Sequence, residues 1–109
     1  MTEIVNKLDD VSKGFFEIYK ILDEELQRSD IFIPFLNAML KLQASIFFSE
    51  NSYNANTAVI ALESLEAVER HITAVTNEKL VISELTDPMI RDCKALRALI
   101  ENYITRPAE

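Results

Sequence analysis

The sequence predicts an all-α fold: a small antiparallel bundle of three to four amphipathic helices forming a single domain over residues 1–109. Three observations carry this reading. Apolar residues recur at spacings of three and four rather than two, which is the period of a helical stripe and not of a strand. One Gly and three Pro are too few for a chain of repeated tight turns, so sandwiches and barrels are disfavoured. Hydrophobic residues at 49% against 27% charged give a globular balance, and 109 residues suffice to bury roughly two thirds of the unfolded surface.

The first segment shows the pattern best. Ile4, Leu8, Val11, Phe15, Ile18, Leu22 and Leu26 fall on one stripe, with Asn6, Lys13, Glu17, Lys20 and Glu24 opposite. One helix is expected from Thr2, as N-cap, to Arg28, roughly 40 Å long at 1.5 Å per residue. Gly14 within it costs about 1 kcal/mol relative to Ala without breaking the pattern.

Ser29-Asp30 reads as a break, and Pro34 suits the first turn of a second helix, where a missing N–H does least harm. Over about Pro34 to Ser49 the inner face is expected to hold Phe32, Phe35, Leu36, Met39, Leu42, Ile46 and Phe47. This is the most hydrophobic segment and is expected at the centre of the core. Glu50 to Asn56, rich in Asn and Ser, reads as a loop.

A third helix is expected from Ala55 to Thr76, capped by Asn54 or Asn56. Its main stripe is Ala58, Leu62, Leu65, Val68, Ile72 and Val75. A second row, Ile60, Ser64, Ala67, His71 and Ala74, leaves a narrow polar arc and implies neighbours on more than one side. Leu80-Val81-Ile82 reads equally as a helical turn or an extended connection. Asp87 as N-cap and Pro88 at the first helical position then start a fourth helix, with Met89, Cys93, Leu96, Leu99, Ile100 and Tyr103 inward and Pro107 beyond its end.

Composition narrows the function classes. A net charge of −7 repels phosphate backbones and anionic lipid, so neither nucleic acid nor membrane is expected as a partner. The longest apolar stretch, Ile31 to Leu40, is too short to span a bilayer. One Cys makes no internal disulfide, and the N-terminus lacks the basic start and apolar run of a secretory signal. A cytoplasmic protein is expected.

Specific chemistry is scarce. Phosphate-cradling loops need several glycines, and Gly14 stands alone inside a helix. One His and one Cys cannot supply a zinc site, and no cofactor is implied. His71 and Cys93 are the sole candidates for an imidazole–thiolate pair, with no oxyanion donor or orienting third group.

Glu69 and Asp92 fall on core-facing stripes, where a carboxylate is costly unless paired or metal-bound. With Glu25 and with Glu84 and Asp87 at i, i+3 they resemble the oxygen-ligand Mg²⁺ sites of all-α nucleotide pyrophosphatases. That family's paired-glutamate helix would need a third Glu where Arg28 stands. The alternative is that Glu69 and Asp92 pair with Arg or Lys.

Two function classes remain. The first is a non-enzymatic protein–protein interaction module, such as a small regulatory, immunity, antitoxin or chaperone-like protein, acting as a homodimer or with another protein. Its expected surface is Val5, Phe16, Ile60, Ser64, Ala67, His71 and Ala74, apolar or small residues beyond those a single stripe needs. The second is a small all-α hydrolase using a carboxylate-bound divalent cation at Glu69, Asp92, Glu84 and Asp87.

Overall fold

A computed structural model of the chain describes residues 2–48 and 55–105. Among them are five helices and no strand: α1 (Thr2–Ile21), α2 (Glu24–Gln27), α3 (Phe32–Phe48), α4 (Ala55–Asn77) and α5 (Ser83–Thr105). The loop expected after Ser49 and the cap at Asn54 fall mostly or wholly outside the described residues, as does Pro107. No helix of the described residues is long and apolar enough to cross a membrane.

The long first helix is interrupted where the stripe continues. α1 stops at Ile21, so the span expected to reach Arg28 is two helices, the longer of them about 30 Å at 1.5 Å per residue. Asp23 is the reason. Its backbone is extended and its Oδ1 accepts from the Leu26 N–H at 2.8 Å, an N-cap that starts α2. Gln27 Nε2 donates back to the carbonyls of Tyr19 (2.9 Å) and Leu22 (3.3 Å), satisfying acceptors left by the end of α1. Ser29 Oγ accepts from the Phe32 N–H and donates to the Leu26 carbonyl, tying α2 to the start of α3.

At the other break the expected helix start is moved. α5 begins at Ser83 and not at Asp87, which leaves Asp87 exposed in the second turn and Pro88 inside the helix. The anchors are apolar: Val81 is buried, Leu80 and Leu85 pack on the core, and Thr86 is fully buried with Oγ1 near the Ser83 carbonyl. α4 ends in a Schellman arrangement. The Leu80 N–H reaches the Val75 carbonyl and the Lys79 N–H that of Thr76, with Lys79 left-handed at φ 57°. Leu80-Val81-Ile82 is therefore a non-helical connection.

α1 packs against α3 and α5, and α4 against the same two, so each long helix has two long-helix neighbours. The core between them is continuous. Ile4, Leu8, Val11, Phe15 and Ile18 from α1, Phe32, Phe35, Met39, Leu42 and Ile46 from α3, Leu65, Val68 and Ile72 from α4 and Met89, Cys93, Leu96 and Ile100 from α5 all join it. The Phe15 and Phe35 rings lie 4.9 Å apart. α5 passes α1 at Gly14, where an added Cβ would make ordinary contact with Met89 Cγ at 3.5 Å.

Several residues expected inside lie nearer the edge. Leu22, Leu36, Leu62, Leu99 and Tyr103 are half-buried, and Ala61 and Ala38 take fully inner places that the stripes did not include. Phe47 is a clear correction. It is one helical step past Ile46, and 100° of rotation carries it to the exposed side.

Candidate interaction surface

The charged candidates are held apart rather than gathered. Glu69 on α4 accepts a hydrogen bond from Arg97 on α5, and this bond is the main cause of the raised Arg97 pKa. Asp92 lies on the seam between α5 and α1, 3.7 Å from Lys7 Nζ. Glu84 borders the same shallow groove as Asp92, together with Asp10 and Glu17, but also with Lys13, while Glu69 lines a different groove beside Arg97. Among the described residues no group of three or more His, Cys, Asp or Glu is placed to hold a metal ion.

Nor do His71 and Cys93 form a nucleophilic pair. Cys93 is fully buried, and burial pushes its thiol up to about 12, with the charges of Glu69 and Asp92 adding to the shift. His71 instead stacks on Phe35, ring centroids 5.7 Å apart and planes 15° from parallel. Desolvation, and next the Arg70 charge, hold its imidazole below the ordinary value of 6.5.

The second row of α4 is divided by the packing. Ala67 is half-buried against the core and His71 sits on Phe35, so this part of the row faces the seam with α3. Ser64 is half-buried, its hydroxyl donating to the Ile60 carbonyl at 3.0 Å. Ala74 is exposed and lines the open groove near Arg97. Ile60 is well exposed, as is its neighbour Val59. Val5 on α1 packs half-buried against the core, and Phe16 is exposed. Of the seven expected surface residues, Phe16 and Ile60 offer large free apolar area.

The larger apolar surface is one that periodicity in the other helices did not indicate. α3 is apolar on its outer side as well as its inner one. Ile33, Asn37, Leu40, Ala44 and Phe47, spaced 4, 3, 4, 3, are all exposed, and Lys41 is the one charged residue of the helix. Its signal in the sequence is a run apolar all round, which fits burial on more than one side.

Phe16 extends this stripe on the α1 flank. Gln43 Nε2 donates to Ser12 Oγ at 2.8 Å, and Gln43, Ser12 and Phe16 border one shallow pocket of about 390 Å³. Helical spacing puts Leu40 and Phe47 one turn either side of Gln43. On the α4 flank, Ile60 shares the row whose His71 touches α3. Exposed fractions are 45% for Phe16, 43% for Ile33, 49% for Leu40, 51% for Phe47 and 53% for Ile60. From the usual sizes of such side chains, the five offer on the order of 450 Å², within the range of a monomer's largest and often functional patch.

No protein-family model matches this chain, and neither curated proteins nor solved structures show a similar one.

Proposed function

We propose that this chain is a non-enzymatic protein–protein interaction module, an antiparallel bundle whose outer α3 face is offered to another polypeptide and which acts in the cytoplasm as a homodimer. Small regulatory, immunity, antitoxin and chaperone-like proteins work in this general way. The observation that carries the reading is the exposed stripe of Ile33, Leu40 and Phe47, which the core does not use.

The area supports a pair. Two such patches, with the polar rim that an interface adds, reach roughly the 1,200 Å² at which stable interfaces begin. The antiparallel arrangement is supported by cross-helix pairs that descend as they rise: Ser12 with Gln43 and Phe15 with Phe35, then Lys7 with Asp92 and Gly14 with Met89. The hydrolase reading has less behind it, because Glu69 and Asp92 lie on different seams, each beside its own cation.

Light scattering over a concentration series tests the proposal. Association predicts a mass rising towards twice the 12.5 kDa of the chain. A mass that stays at 12.5 kDa into the high micromolar range contradicts the homodimer.

A further inference from the structure

The outer residues of α3 repeat every seven positions. Ile33, Leu40 and Phe47 take one position of the repeat, and Asn37 and Ala44 take the other. This is the spacing of a coiled-coil seam, here on a helix whose opposite side is already committed to a core. We infer that α3 pairs in parallel with the α3 of a second copy of this chain, about a two-fold axis along the seam, so that each of the five residues meets its own counterpart. The inference rests on the reading of α3 as the homodimer surface and adds the orientation and register of the pair.

Two chains of like net charge, −7 each, repel overall, but the five seam residues are uncharged and offer a charged partner nothing to pair with. The charged exterior of α5 belongs to a helix that is not among α3's principal neighbours. Pairing through α3 keeps those charged faces apart, whereas a basic partner would be drawn to them instead.

Two residues choose the orientation. In a parallel pair Asn37 faces Asn37, and two amides can donate to and accept from each other, the usual role of a single polar seam residue. An antiparallel pair centred on Leu40 sets Asn37 against the Ala44 methyl, with no partner for its amide. It also brings Lys41 beside Lys41 across the axis, where the parallel pair sets Lys41 near Leu36.

Disulfide trapping separates the possibilities. Oxidation of Ala44→Cys and of Leu40→Cys, each checked for helical circular dichroism, is compared with Lys94→Cys on the exposed side of α5. The native Cys93 is buried and is not expected to react. A parallel seam predicts covalent dimer from both α3 variants, well above the Lys94→Cys background. An antiparallel seam predicts it from Leu40→Cys alone, since two copies of position 44 would then lie about 12 Å apart along the axis, beyond disulfide reach. That result overturns the orientation and keeps the α3 surface. Background-level product from both variants overturns the α3 surface itself.

Discussion

Helix α5 is apolar on one side and charged on the other, whereas α3 is apolar on its inner side and sets Ile33, Leu40 and Phe47 beside Asn37 and Lys41 on its outer one. On α5, Met89, Cys93, Leu96 and Ile100 are buried, while Glu84, Asp87, Arg91, Lys94 and Glu101 are exposed. On α3, Phe35, Met39, Leu42 and Ile46 are buried, and the opposite side shows Ile33, Leu40 and Phe47. Both helices serve one core, so folding alone explains the inner faces. The outer faces differ in a way that folding does not require. α5 ends at solvent, and α3 keeps apolar surface that is worth about 25 cal/mol per Å² only when something covers it.

The sharpest test of that contrast lies within α3. Phe35→Ala should cost about 3–5 kcal/mol in denaturant midpoint, because Phe35 is fully buried among Phe15, Phe32 and His71. Phe47→Ala, measured at high dilution, should stay within about 0.5 kcal/mol of wild type, as exposed substitutions usually do. Equal costs would break the distinction between the two faces.

Smaller effects are expected on the α5 seams. Gly14→Ala should stabilise the chain by about 0.5–1 kcal/mol in thermal or urea unfolding, since helical Gly is entropically costly. The added Cβ meets Met89 at ordinary contact distance, 3.5 Å. A loss would mean that α1 and α5 pack more tightly than described. Glu69→Gln should cost at most about 1 kcal/mol, because solvent reaches both side chains of the Arg97 pair and weakens it. A cost of several kcal/mol would mark that seam as drier than the structure has it.

The smallest effect belongs to His71 at the α3 seam. Its folded pKa is depressed, first by desolvation and then by Arg70, so the unfolded chain binds this proton more readily. Its contribution to stability is therefore complete above the unfolded value of 6.5 and is lost as pH falls through the lower folded value. His71→Gln should flatten the stability profile over that window. An unchanged slope would mean that His71 is solvated and not stacked on Phe35.

How far the sequence could be read follows from these same elements. Strict spacing made the inner rows of α1, α4 and α5 visible, and Phe15, Leu65 and Leu96 are buried as the stripes imply. The interruption at Asp23 was hidden because Leu22 and Leu26 keep the apolar period across it. Asp87-Pro88 is a strong local start signal for α5, and the burial of Val81 and Thr86 overrides it. α3 was hardest to orient. A helix apolar all round has no contrast to mark its exposed side, so the spacing puts Phe47 on the inner face and leaves Ile33 and Leu40 unassigned. Of the expected surface residues, Ala67 packs half-buried on the core and His71 stacks on Phe35 of α3. Phe16 and Ile60, chosen by the same reasoning, do remain exposed.

We propose that the outer face of α3, and not that of α5, joins two chains. Light scattering of wild type, Leu40→Glu and Lys94→Glu at one matched concentration tests it directly. Wild type and Lys94→Glu should share a mass near twice 12.5 kDa, while Leu40→Glu falls to 12.5 kDa with its helical circular dichroism intact. Identical masses for wild type and Leu40→Glu, or a monomer from Lys94→Glu alone, would contradict it.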